Sequence, residues 1–398
     1  MAHAEGRQPG LPAPGQFGRR SFLRGVSVSA LALAGGDLLS SCGTPSAIVP
    51  AGSCLSQDKS ASEKTLQFDN WPQYIDPPSG KRPSTLEKFE AATGISVSYI
   101  ADVNDNESFF AKVADQLARC TSTNKDMFVL TDWMAGKMIS LGWVQKLDHS
   151  KIPNVRKNML PSLRAPLWDP HRDYSVPWQS GMTGICYNSE LTDPVHSFQE
   201  LLTRPDLKGK IDLLVEMRDT MLFMLLIDGA DPANFTKPEF DKGIERLQKA
   251  VSDGQVRRFT GNDYLDDLRS GNVVACESWS GDIPQLGDPK FKWIAPEEGF
   301  AVWSDNMLVP NLSPHKANAE ALMNFYYQPE IAAQLEAWNF YFCPVLGAGQ
   351  YIGQFDKSAV NDPLIFPSSE FLSNAHQFMS LGTNEKEYTQ LFSQTMTG

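Results

Sequence analysis

The chain is poor in the residues that most catalysts rely on. Its 398 residues hold only 6 histidines, scattered without ligand spacing, and contain neither HExxH, GxSxG nor a P-loop. The 6 cysteines form no CxxC and no cysteine–histidine pairing, which removes the usual zinc patterns. Gly347-Ala348-Gly349-Gln350-Tyr351-Ile352-Gly353 misses the dinucleotide fingerprint by one residue and lacks a strand-to-helix setting, so it reads as loop. Positive charge is also in deficit. Lys and Arg number 35 against 47 Asp and Glu, a net charge of −12 with pI near 5.0, which argues against nucleic acid or an anionic membrane surface as partner. Internal repeats are missing, and no run beyond the N-terminal region is long enough to span a bilayer. The expectation is a protein that is not an enzyme, with no cofactor and no metal.

What is present is a recurring strand ending. Five times a short apolar run closes on a tryptophan, a carboxylate or both: Phe68-Asp69-Asn70-Trp71, Val129-Leu130-Thr131-Asp132-Trp133, Val215-Glu216-Met217-Arg218-Asp219, Cys276-Glu277-Ser278-Trp279 and Val302-Trp303-Ser304-Asp305. Such runs read as buried strands, and open α/β sheets hold ligands beyond the C-terminal ends of their strands. Indole faces attract cations and carboxylates neutralise them, so the guest these residue types suit is a flexible organic cation. The bland alternative treats the tryptophans as core and Arg218 as a salt-bridge partner for Glu216 or Asp219.

At this length two lobes are expected. Ser84-Thr85-Leu86-Glu87 is a capping box that starts a helix closed by Gly94, and Ile95, Val97 and Tyr99 alternate as the next strand. A second helix carries Phe110, Val113 and Leu117 on one face, and Met127 to Leu130 supplies another strand. Alternating strands and helices imply an α/β fold with a mainly parallel sheet. Ser175 to Ile185, bracketed by proline and glycine, suits a crossover between lobes, and a second α/β block begins at Ile211. Helices are expected over Ala317 to Tyr327 and Ile331 to Trp338.

The N-terminus resembles an export signal. Gly18-Arg19-Arg20-Ser21-Phe22-Leu23-Arg24 before the apolar stretch Val26 to Leu39 is similar to a twin-arginine signal, and Leu39-Ser40-Ser41-Cys42 is similar to a lipobox. This gives a signal over 1–41, lipid on Cys42 and a flexible tether through residue 63, placing the protein outside the cytoplasm and on the membrane through lipid only. Of the remaining Cys54, Cys120, Cys186, Cys276 and Cys343, some pair could form a disulfide, with the pairing open; Cys186 and Cys276, inside apolar runs, read as buried hydrophobes.

The chain also resembles the spermidine/putrescine-binding proteins of bacterial ABC importers over nearly all of its mature length. The matching segments are Phe68-Asp69-Asn70-Trp71-Pro72-Gln73-Tyr74, Lys137-Met138 through Gln145-Lys146-Leu147-Asp148, Tyr174-Ser175-Val176-Pro177, Trp303-Ser304-Asp305, and Tyr341 followed by Pro344. The resemblance implies a type II periplasmic-binding-protein fold, with one lobe from 64–182 and 304–349, the other from 183–303 and 350–398, and the ligand between them. It implies an aromatic box of Trp71, Tyr74, Trp133, Trp279, Trp303 and Tyr341, with Asp305 on one terminal ammonium and Glu216 and Asp219 on the rest of the amine. Thr131 falls where the family has a serine contact, Pro72 replaces a hydroxyl residue, and Glu216 and Asp219 exchange the usual carboxylate lengths. Implied partners are a polyamine, a permease and its ATPase, with the protein itself a monomer. Rival readings are an oligosaccharide receptor, a sensor subunit, and a glycosidase using Glu216 and Asp305 as paired carboxylates.

Overall fold

The Ser84 hydroxyl accepts from Glu87 N while the Glu87 carboxylate accepts from Ser84 N, and helix Thr85–Thr93 runs from this box to Gly94, whose φ of 70° ends it. The computed structural model describes residues 54–397. The expected signal over 1–41, the acylation point Cys42 and the tether as far as residue 53 lie outside the described residues.

Among the described residues ten strands build one sheet: β1 (Thr65–Asn70), β2 (Ser96–Ala101), β3 (Met127–Thr131), β4 (Ser175–Asn188), β5 (Ile211–Leu214), β6 (Val256–Thr260), β7 (Ala275–Trp279), β8 (Phe291–Ile294), β9 (Phe300–Leu308) and β10 (Ala375–His376). Their order is β2-β1-β3-β9-β4-β7-β5-β6, with β10 on β9 and β8 on β4. The outer strands on both sides run parallel (β1 with β2 and β3, β5 with β6 and β7) because helices connect them. At the centre β9 is antiparallel to both β3 and β4, and β4 to β7. The fold is the α/β periplasmic-binding-protein fold with a mixed sheet.

The 14-residue strand β4 is buried along its whole length, and with β9 it passes from one hydrophobic cluster to the other. Val176, Trp178, Met307 and Leu308 belong to the first cluster and Ile185, Tyr187 and Ala301 to the second. The expected boundary at residue 350 falls inside the first cluster, where Ile352, Ala359 and Ile365 pack; the second takes up the chain from Phe378.

Two local expectations change. Helix Asn106–Ala118 is capped by Asp105 and buries Phe109, Val113 and Leu117 at a spacing of four, so Phe110 turns off that face and stacks on Trp143 at 5.5 Å. The expected tether stops early: Cys54 is joined to Cys120 by a disulfide, Lys59 N donates to Pro314 O, and Ser60 is buried with its hydroxyl accepting from Asn318 N. Residues 54–63 are thus held against the body by bonds that their small, polar composition does not reveal. Cys186 and Cys276 are buried thiols opposite one another on β4 and β7. No helix among the described residues is long and apolar enough to cross a membrane.

Candidate functional site

Five aromatic rings close into a loop. Centroid separations are 6.5 Å from Trp71 to Tyr74, 4.9 Å to Tyr341, 5.8 Å to Trp303, 6.5 Å to Trp279 and 5.5 Å back to Trp71. The rings are edge-on or tilted to their neighbours, which is the arrangement aromatic quadrupoles favour. They come from four stretches of chain: Trp71 and Tyr74 from the loop after β1, Trp279 from the end of β7, Trp303 from β9, and Tyr341 from beyond helix Pro329–Asn339. Two glycines make room for them, since a Cβ on Gly181 would strike the Trp303 indole and one on Gly281 the Tyr341 ring. Tyr341 is further fixed by its hydroxyl, which donates to Asp282 at 2.6 Å; Tyr264 and Asn262 donate to the same buried carboxylate.

Carboxylates stand beside this loop. Asp305, 2% exposed on β9, accepts from the Tyr74 hydroxyl at 2.8 Å through Oδ2. Its Oδ1 has no hydrogen-bond partner among the described residues. Burial pushes its carboxyl up to about 7, held back by the Thr131 and Tyr74 hydroxyls and raised further by Asp132 and Asp219. Asp219 accepts from the Thr183 hydroxyl at 2.8 Å, and Thr183 accepts from the Trp303 indole at 2.9 Å, so a wall of the loop and a carboxylate are coupled through one threonine. Burial lifts Asp219 to about 6. Glu216 accepts from Asn106 N at 2.7 Å and from Asn106 Nδ2 at 2.9 Å; burial, only partly countered by these bonds, lifts it to about 8.

All ten residues expected to bind ligand border a single cavity of about 1400 Å³. Trp133 differs from the other aromatics. It lies outside the closed loop, and one face is covered by the Arg218 guanidinium, 3.7 Å from the ring centroid. Arg218 therefore does not bridge Glu216 or Asp219 as the bland reading of the sequence supposed; it reaches past both to Glu385 at 3.6 Å. Sequence reasoning missed Asp132, Asn106, Lys137, Arg172 and Glu385, all on the cavity wall. Asp132 was visible inside the run ending at Trp133. Asn106 and Glu385 carry no sequence signal, because only the tertiary fold brings them there. Gln377 also borders the cavity. Among the described residues no cluster of histidine, cysteine or carboxylate is placed to hold a metal.

Buried, mutually repelling carboxyls walled by aromatic rings suit a cationic guest. The class is a two-cluster α/β binding protein, and comparison with known proteins gives its family. Residues 84–365 match the model of the bacterial extracellular solute-binding protein family, and the chain belongs to that family. Its members bind solutes and are not enzymes, which removes the glycosidase alternative. The chain is 28% identical over 340 residues to the spermidine/putrescine-binding periplasmic protein of Escherichia coli, covering 84% of this chain and 92% of that one. It is 28% identical over 358 residues to the putrescine-binding periplasmic protein SpuD of Pseudomonas aeruginosa, with the same coverage of 84% and 92%. Among solved structures, one from Listeria monocytogenes assigned to a spermidine/putrescine ABC transporter superposes with a TM-score of 0.72 at 26% identity, covering 84% of this chain and 99% of that one. A lipoprotein of Treponema pallidum shares the fold, with a TM-score of 0.69 at 21% identity, covering 84% of this chain and 100% of that one.

Proposed function

We propose that this protein is the extracytoplasmic receptor of an ABC importer and that it closes two lobes on a linear polyamine. The supporting observation is the closed loop of five aromatic rings with Asp305 on its border, whose Oδ1 is buried and without a hydrogen-bond partner among the described residues. Stripping water from an ammonium is costly, and a buried carboxylate with a vacant acceptor is the group that offsets it. Trp71, Tyr74, Trp279, Trp303 and Tyr341 wall the methylene chain, Asp305 takes one terminal ammonium, and Asp219 and Glu216 take the other end. Thr131 braces Asp305 from the neighbouring strand, and Trp133 borders the same space. A cation on an aromatic face contributes about 0.5–2 kcal/mol, and a buried methylene about 0.8 kcal/mol. Micromolar affinity, roughly 8 kcal/mol, is within reach of that sum after the cost of association.

Lobe closure would couple capture to recognition by a permease driven by an ATPase. Lipid on Cys42 after twin-arginine export would hold the receptor at the outer face of the cytoplasmic membrane. Calorimetric titration of the unlipidated protein with putrescine, spermidine and spermine, and with maltose as a control, tests the reading. Micromolar or tighter binding of an amine is expected; binding of maltose alone overturns it in favour of a sugar receptor, and silence with all three amines overturns it outright.

A further inference from the structure

Two loops from opposite edges of the sheet meet beside the cavity. Along the strand order β2 and β6 are the outermost members, seven interstrand spacings apart, about 34 Å were the sheet to lie open. Yet Asn104, just beyond β2, abuts Gly261, just beyond β6, so closely that a Cβ on Gly261 would strike the Asn104 main-chain oxygen and its Nδ2. The φ of Gly261 lies outside the left-handed region, so its neighbour and not its own backbone demands glycine. Asn106 N and Nδ2 both donate to Oε1 of Glu216, which follows β5, at 2.7 and 2.9 Å. A third tie joins Lys137, on the helix after β3, to Glu385 at 3.1 Å; Glu385 opens helix Glu385–Thr397, whose Tyr388 packs on Phe240 in the second cluster.

The sheet therefore doubles over about its central β4–β9 pair and brings the ends of its outer strands together. Asn106 is itself held to the first half: its Nδ2 also donates to Thr131 Oγ1 at 2.8 Å, and its Oδ1 accepts from Thr131 N at 3.1 Å. Thr131 stands opposite Asp305 in the β3–β9 ladder, so a continuous path runs from Asp305 through Thr131 and Asn106 to Glu216. We propose that Asn106 is the latch of the closed receptor, a positioning residue that holds the two halves together over the bound amine, and that Gly261 is the clearance that lets it engage. The inference rests on the reading of a receptor that closes on a polyamine, and adds what keeps it shut. Glu216 then serves twice, with Oε1 on the latch and Oε2 on the amine. A carboxyl oxygen accepts from Asn106 whether Glu216 is ionised or protonated, so the latch does not depend on the charge of that group. Asn106 is buried, and its donors have no water to turn to while the halves are shut, so the latch acts on dissociation and not on encounter.

Stopped-flow tryptophan fluorescence and small-angle X-ray scattering on the wild type, N106A and G261A test the proposal, with the tighter binding of putrescine and spermidine as ligand. N106A removes the side-chain donor; G261A drives a methyl between the halves without touching the cavity wall. The off-rate of N106A is expected to rise about five- to tenfold while its on-rate stays within roughly twofold. G261A is expected to lose the ligand-induced contraction seen in the wild type and to bind about tenfold more weakly, because its binding-competent closed form is depleted. Wild-type off-rate and contraction in folded variants overturn the proposal, as does a slower on-rate with an unchanged off-rate in N106A, which marks a role in the fold alone. If N106A loses its circular dichroism signal, G261A decides, since it leaves the bonds between Asn106 and Thr131 in place. Absence of amine binding by the wild type defeats the polyamine reading; the ligand-free radii of wild type and G261A then judge the latch, a larger radius in G261A supporting it and equal radii overturning it.

Discussion

Tyr74 and Asp305, 231 positions apart in the chain, share a hydrogen bond of 2.8 Å within the cavity wall, and the phenol donates to Oδ2. The bond joins a carboxylate on β9 to the aromatic loop, and the second carboxylate oxygen has no hydrogen-bond partner among the described residues. Asp305→Asn is expected to weaken polyamine binding at least tenfold, about 1.4 kcal/mol, while Tyr74→Phe weakens it less because the charge stays. Titration calorimetry of both variants checks this; unchanged affinity in Asp305→Asn would place Asp305 away from the ligand.

Trp303 is half-buried, and its indole N–H bonds to a threonine that in turn bonds to Asp219. Trp303→Ala is expected to weaken binding while the circular dichroism spectrum stays that of a folded protein. Gly281→Ala probes the same loop indirectly, because the new methyl must displace the Tyr341 ring, an overpacking worth about 1–3 kcal/mol. If Trp303→Ala unfolds the protein, the tryptophan is core and not binding surface.

Acidity gives a third expectation. Asp219, Asp305 and Glu216 titrate near 6, 7 and 8 in the ligand-free fold, all above their ordinary values, and burial is the leading cause. A carboxyl raised on folding stabilises the fold at low pH and loses that contribution as pH climbs to its folded value. The empty receptor should therefore melt at a lower temperature at pH 8 than at pH 6. A cationic guest favours the ionised forms, so its binding should release protons and tighten between pH 6 and 8. His315, raised by Asp126 and Glu63 against the opposing effect of burial, changes the melting temperature in the same direction, so the ligand-dependent part is the decisive one. Calorimetry in buffers of different ionisation enthalpy counts the protons; affinity that stays flat over this range would rule the linkage out.

The disulfide is a fourth target. Cys54 and Cys120 enclose a loop of 66 positions, for which the chain-entropy relation gives about 4 kcal/mol. Replacing both cysteines by serine should lower stability to denaturant by roughly 2–4 kcal/mol. Polyamine affinity should stay unchanged, since neither residue borders the cavity.

Strand ends were the legible part of this molecule. Trp71, Trp279, Trp303 and Asp305 could be picked out because each closes an apolar run, and the capping box at Ser84 marked its helix without ambiguity. The central antiparallel pairing of β4 with β9 was not legible, because β4 is buried along its whole length and β9 along most of it, so both lose the alternation that marks a face. Arg218 was misread for a different reason. Neighbours in sequence suggested a partner, whereas the first turn of a helix sends consecutive side chains in different directions, and the true partner, Glu385, is 167 positions away. Asn106 and the docked segment after Cys54 depend on contacts that no local pattern encodes.

That docked segment also decides where force enters the molecule. A pull on the chain ahead of Cys54 would be received at the Cys54–Cys120 crosslink and shared with the backbone around Pro314 and Asn318, so β1, which lies one strand in from the sheet edge beside β2, would be spared the load.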